Sequence, residues 1–167
     1  TRGELQKNLK RQYKIFKNKH TWAMTVIYTM TFGSFIGYSA AFPLSIKVIF
    51  GYSHIVGSDG VFNHDTINPN GPSALMFAWM GPFIGALIRP IGGWISDKVG
   101  GAKVTQIVSL VMITSALGVS YYMAAAYRSA TPEEYFWQFF ILFIILFTAT
   151  GIGNGSTFRT IAMVFNQ

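Results

Sequence analysis

Four long apolar stretches, at about 21–42, 74–95, 104–126 and 136–158, set the limits on what this chain can fold into. A helix needs about 20 apolar residues to cross roughly 30 Å of hydrocarbon, and a membrane strand needs only about half as many. In lipid every backbone N–H and C=O must find a partner inside the protein, so stretches of this length are read as helices. The expected fold is therefore all-α, a polytopic membrane helical bundle. Composition agrees. Charged residues make up 11% of the chain and hydrophobic ones 51%, against about 25% charged in soluble domains.

The segments between the stretches give the bundle its orientation. Residues 1–20 form a basic prelude with seven Lys/Arg and one acid, Glu4. Residues 51–73, rich in Gly, Asn, Asp, Ser and Pro, read as a polar loop. Residues 96–103 read as a tight charged turn, and 127–135 as a short loop. Pro43 suits the end of the first span. Positive charge in short loops marks the cytoplasmic side. The prelude and the 96–103 turn hold nine basic residues, whereas the loops at 51–73 and 127–135 hold only Arg128. With four spans, the first pair of segments shares one side, assigned to the cytoplasm. The chain opens on charged residues without an apolar leader and stops directly after an apolar stretch, so it is read as a fragment.

Several function classes drop out. Without cysteine there is no disulfide, thiol catalysis or Cys-based metal site. His20, His54 and His64 all lie outside the apolar stretches, which argues against a buried histidine metal cluster. No nucleophile–base pair or metal-ligand spacing appears, so neither an enzyme nor a cofactor or metal is expected. The net charge of +7 would raise nucleic-acid binding in a soluble protein; here membrane topology accounts for it. The glycine-rich string near residue 153 lacks a GxxxxGK[ST] pattern and is no phosphate loop. Asn154-Gly155-Ser156 matches a glycosylation pattern but lies within a span.

Arg89 carries the functional argument. It stands about eight residues ahead of the cytoplasmic turn, roughly 12 Å into the membrane at 1.5 Å per residue. One reading has the side chain snorkelling to the interface. The other treats an intramembrane charge as a functional site, since a guanidinium offers planar paired donors that match a flat oxyanion. Tyr28 and Phe32 are four residues apart and share a helix face, either as ordinary packing or as a site wall. Gly33 with Gly37, Gly81 with Gly85, and Gly151, Gly153 and Gly155 have the small-residue spacing that lets helices approach closely in lipid. Asn154, Ser156 and Thr157 are candidate interhelical hydrogen-bonders, with Asn154 and Ser156 also candidate pocket residues. Arg159 is read as an interface anchor.

The most specific string is GGWISDKVGGAK, residues 92–103. Gly100 and Gly101 permit a sharp reversal, Asp97 is placed to cap the following helix, and Lys98 and Lys103 hold the turn in the cytoplasm. A generic helix hairpin would explain these features. The order Gly93, Asp97, Lys98, Gly100, Lys103 also resembles the cytoplasmic loop of the major facilitator superfamily, whose members rock two six-helix halves around a central site. The strings TFGSFIGYSAAF (31–42), GPFIGALIRPIGG (81–93) and GIGNGSTFRTI (151–161) look like the nitrate/nitrite porters of that superfamily. The resemblance covers nearly all of the chain except 51–73, and implies helices 7 to 10 of the C-terminal six-helix half.

That resemblance implies that Arg89 binds nitrate or nitrite, with Tyr28 and Phe32 lining the anion site and Gly33, Gly37 and Gly85 in the pocket or the helix packing. The loop residues Gly93, Asp97, Lys98, Gly100, Gly101 and Lys103 are expected to support the conformational change. The implied partners are a small inorganic anion, the lipid bilayer and the remaining helices of the same transporter, in a bacterial inner membrane. All six acids, Glu4, Asp59, Asp65, Asp97, Glu133 and Glu134, lie outside the expected spans. A positive site without a titratable partner suits exchange of monoanions, hence nitrate/nitrite antiport; proton-coupled symport is the alternative. A major facilitator for another small anion is a rival, and anion competition separates it. A nontransporting anchor or sensor domain is a second rival, and would tolerate neutral substitution of Arg89.

Overall fold

The computed structural model describes residues 17, 19–53, 55–56, 62–63 and 66–165. Most of the basic prelude, together with His54, His64, Asp59 and Asp65, lies outside the described residues. Helix α1 runs Lys19–Ser45 and loosens into a single π-helical segment, Ile46–Phe50. A two-residue antiparallel pair follows, β1 (Ile55–Val56) with β2 (Phe62–Asn63). Then come α2 (Ala74–Phe77), α3 (Met80–Leu87), α4 (Arg89–Val99), α5 (Gly101–Tyr127), a 3₁₀ turn at Pro132–Tyr135, and α6 (Phe136–Phe165). Four helical units are long and apolar enough to cross a membrane: Lys19–Phe50, Ala74–Val99, Gly101–Tyr127 and Pro132–Ile161.

Prolines act differently from the expectation. Pro43 does not end the first span but sits inside α1. Its missing N–H leaves the Ser39 carbonyl without an i+4 donor. The chain stays helical and widens to π geometry three residues later, keeping Phe42, Ile46 and Phe50 fully buried on one side. The second span is the one that breaks. It is not one helix over 74–95 but three pieces, with Ile88 as the joint between α3 and α4 and Pro90 in the first turn of α4. Pro90 removes the donor that the Ala86 carbonyl would have used, and the helix restarts at Arg89.

The turn expected at 96–103 is a single residue. Helix α4 continues through Val99 and α5 starts at Gly101, leaving Gly100 at φ +96° and ψ 129°. A Cβ there is strained whatever the space. Gly100→Ala should therefore lower stability by about 1–3 kcal/mol, measurable as a shift in detergent-solubilised thermal unfolding. Gly101 has a different role. It is helical, and a Cβ on it would run into the Thr160 hydroxyl of α6.

Helix α6 is the hub, packing against α5, α4, α3 and α1. Between α1 and α6 lies a layer of phenylalanines. Phe42 meets Phe143 at 4.8 Å between ring centroids and Phe147 edge-on at 5.8 Å, while Phe50 meets Phe139 at 5.0 Å. Lipid tails are as apolar as these rings, so close packing rather than expulsion from water holds the layer. Outward-facing Trp22, Leu75, Leu117 and Tyr121 are exposed and present the surface that hydrocarbon would cover. At the loop end, Asn68 is a tether: its Nδ2 donates to Glu133 Oε2 at 2.8 Å and to the Phe50 carbonyl at 3.4 Å.

Glycine spacing resolves into two outcomes. Gly81, Gly85, Gly92, Gly151 and Gly155 are tight seams, each with the backbone or an aromatic ring of another helix where a Cβ would stand. Gly33 and Gly37 have the same spacing but face open space, with nothing within 4 Å of a Cβ among the described residues. Their helix-packing reading finds no partner there, because the side of α1 that carries them turns away from α6.

Candidate functional site

The helix joint at Ile88 puts Arg89 at the first position of α4, pressed toward α1. Its guanidinium carbon lies 4.5 Å from the centroid of Phe35 and 5.5 Å from that of Phe32. The side chain therefore folds across onto a neighbouring helix instead of stretching along its own toward the turn, as snorkelling would require. Two such ring contacts stabilise a desolvated cation by about 1–2 kcal/mol each. They neutralise nothing, so the positive charge remains. The Nε atom is buried without a hydrogen-bond partner.

The rings form a slanted stack along α1. Tyr28 and Phe32 are parallel within 12° at 5.3 Å, and Phe32 and Phe35 within 13° at 6.5 Å. Helix α6 braces both ends: Phe158 meets Tyr28 edge-on at 5.2 Å, and Phe147 meets Phe35 edge-on at 5.9 Å. The structure thus brings Arg89, Phe32 and Tyr28 into one wall. It adds Phe35, which the sequence reading missed; the signal was its helical spacing, three residues past Phe32 and seven past Tyr28. Glycines set the depth of the wall. A Cβ on Gly85 would collide with the Phe35 ring, and one on Gly155 with the Arg89 carbonyl. Such a wall can hold a flat anion against the aromatic stack while the guanidinium supplies charge and paired donors.

Asn154 and Ser156 point to different places. Both are fully buried. Ser156 Oγ donates to Ser96 Oγ at 3.2 Å and lies 3.4 Å from the Gly101 carbonyl, fastening α6 to the α4–α5 reversal. The amide of Asn154 has no partner on either Oδ1 or Nδ2. At the reversal, Asp97 does not cap α5. Its Oδ1 accepts a 2.7 Å hydrogen bond from Arg159 Nε, 62 residues away. This ion pair also replaces the reading of Arg159 as a simple interface anchor. A capping carboxylate must reach the free N–H groups of the next helix, and the one-residue turn points Asp97 toward α6 instead. A Cβ on Gly93 would make only ordinary contact with the Gly155 carbonyl, Lys98 Nζ sits 3.9 Å over the Trp94 ring, and Lys103 is exposed.

Residues 2–166 match the Major Facilitator Superfamily. Among its relatives, the chain is 37% identical over 161 residues to the probable nitrate/nitrite antiporter NarK2 of Thermus thermophilus, covering 96% of this chain and 32% of that protein. It is 35% identical over 167 residues to the nitrate/nitrite transporter NarU of Salmonella typhimurium (99% and 30%). With NarU of Escherichia coli the identity is 37% over 157 residues (93% and 29%). The chain spans about a third of the length of these relatives. Four membrane-length helices and a match along almost the whole chain agree: this chain belongs to the major facilitator superfamily.

Proposed function

We propose that this chain is part of the C-terminal half of a nitrate/nitrite carrier in a bacterial inner membrane, with Arg89 as the anion-binding group. The observation that carries the proposal is the guanidinium at a helix break, lying against Phe32 and Phe35 with no carboxylate paired to it among the described residues. The relatives named as nitrate/nitrite transporters supply the substrate. Phe32 and Tyr28 shape the pocket, Phe35 seats the cation, and the prelude and the α4–α5 reversal face the cytoplasm. The complete parent protein in proteoliposomes tests this: labelled nitrate should enter, and nitrite should compete better than chloride or sulfate. Equal competition by unrelated anions would point to a carrier of another anion.

The transport mode is proposed as antiport. Among the described residues, the acids of the helical spans are Asp97, paired to Arg159 at one end, and Glu133 and Glu134 at the other, with Glu133 holding Asn68. None is placed to relay a proton past Arg89. A cationic site that must be refilled by an anion before it returns suits one-for-one exchange. Internal nitrite should accelerate nitrate uptake, whereas uptake driven by a pH gradient without internal nitrite would establish the symport alternative.

The Asp97–Arg159 pair is proposed to steady one conformation of the carrier, since it ties the reversal to α6. Both groups are partly open to water, so the pair contributes little to folding. Asp97→Asn should accordingly slow exchange while leaving the nitrate dissociation constant unchanged. A matching loss of affinity would show that the pair supports the site itself.

A further inference from the structure

Helix α6 runs antiparallel to α1, and its ring contacts give a register between them. Phe147 meets Phe35 and Phe158 meets Tyr28. Asn154 lies between those two positions on α6, as Thr31 and Phe32 lie between the matching positions on α1. Its immediate neighbours narrow the direction further. On one side a Cβ at Gly153 would touch Thr31 of α1 and Val108 of α5, and on the other Gly155 abuts the Arg89 carbonyl of α4. The Asn154 side chain falls between these directions, toward the seam of α1 and α4. That seam, at that level, is where the Arg89 side chain crosses to Phe32 and Phe35.

Two buried polar groups without partners therefore occupy one layer: the Arg89 Nε donor and both ends of the Asn154 amide, a residue with no exposed surface. The neighbouring hydroxyls are engaged elsewhere. Thr31 bonds the Ile27 carbonyl at 3.1 Å and Thr157 the Gly153 carbonyl at 2.8 Å. Unsatisfied buried amides are costly and rare. An acceptor on the inner side of a guanidinium has a defined use, because it holds Nε and turns the two terminal nitrogens outward as a fork.

We propose that Asn154 is a positioning residue for Arg89: its amide oxygen accepts from Nε through one bridging water and fixes the fork in the plane that suits a flat trigonal anion. This rests on the reading of Arg89 as the anion-binding group. Asn154 has no exposed surface, so it sets the orientation of the donor rather than touching the anion. Charge alone would attract a planar and a tetrahedral monoanion alike. A fork pairs with two oxygens of either shape; held in line with the face of the Phe32 ring, it favours the anion that can lie flat there.

The test measures dissociation constants for nitrate and for perchlorate on the purified complete parent protein, by calorimetry, with a thermal melt on each variant. Asn154→Leu should weaken nitrate about tenfold and leave perchlorate nearly unchanged, so that the preference for the planar anion shrinks. Asn154→Ser, which keeps an oxygen acceptor, should recover most of that preference. Asn154→Ala serves in place of the Leu variant if that protein does not fold. Unchanged nitrate affinity and preference in the Leu or Ala variant would overturn the proposal, as would equal weakening of both anions or a Ser variant no better than Leu. Arg89→Lys, measured alongside, separates the two levels: if it leaves nitrate binding intact, the anion-site reading itself fails. If Arg89→Lys loses nitrate while Asn154→Leu keeps it, only the role of Asn154 is wrong.

Discussion

Arg89→Lys is expected to raise the nitrate dissociation constant of the complete carrier by about 100-fold and to abolish measurable exchange, while the protein remains folded. Lysine keeps the charge, so a purely electrostatic site would lose little. The expected loss comes from geometry. The ammonium is a compact point charge that cannot present two parallel donors to a planar anion, and it stacks less well on aromatic rings. The guanidinium lies over Phe35 at 4.5 Å with Phe32 alongside, and replacing it removes the fork and weakens both ring contacts. Losing one of the two charge-assisted hydrogen bonds, at about 1.5–2 kcal/mol, and about 1 kcal/mol of ring contact gives roughly the stated factor. Calorimetry on purified protein checks it. Retained affinity would move Arg89 to a structural role.

The second large effect is expected at Gly155. A Cβ at this position would overlap the Arg89 carbonyl and approach the Gly93 amide, both of them backbone atoms that cannot rotate away. Gly155→Ala must therefore separate α6 from α4, and overpacking of this kind costs about 1–3 kcal/mol. The separation occurs at the residue proposed to bind the anion, so transport should fall more than stability does. Thermal unfolding and nitrate binding measured together resolve the two. The control is Gly33→Ala, which has the same chemistry at an open position with nothing within 4 Å and should have a much smaller effect on the melting temperature.

These two glycines also show how much the sequence could say. Gly33–Gly37 and Gly81–Gly85 have identical spacing, yet the second pair is a seam against Phe147 and Phe35 and the first faces away from the hub helix. Spacing shows that a close approach is possible; the partner is decided by how α1 rotates around its axis, which local pattern does not encode. The prolines carry the same lesson. Pro43 and Pro90 have the same covalent constraint, but α1 accommodates one by widening to π geometry, while the second span breaks at the other.

Arg89 was legible because a charge within an apolar stretch is expensive and needs a reason. Tyr28 and Phe32 were legible as a pair on one helix face at i and i+4, but that spacing alone favours packing, and only the resemblance placed them beside an anion. Phe35 was not, since its helical spacing from Tyr28 and Phe32 was its one cue, and that cue is not distinctive in a chain with 15 phenylalanines. Asp97 with Arg159 was beyond reach for a different reason: 62 residues separate them, and each has a plausible local use, a helix cap for one and an interface anchor for the other. Only the tertiary approach of α6 to the α4–α5 reversal brings them together. The unpartnered amide of Asn154 belongs in the same class, because a polar residue among glycines reads as a routine interhelical bond until its neighbours are known.

The most direct measurement is the position of the anion in a structure of the complete parent protein with nitrate bound. The expected result is an anion within hydrogen-bond distance, about 2.8 Å, of the terminal nitrogens of Arg89, lying flat beside the ring of Phe32. Nitrate bound elsewhere, with Arg89 still seated on Phe35 and making no contact to it, would contradict the assignment of this wall as the anion site.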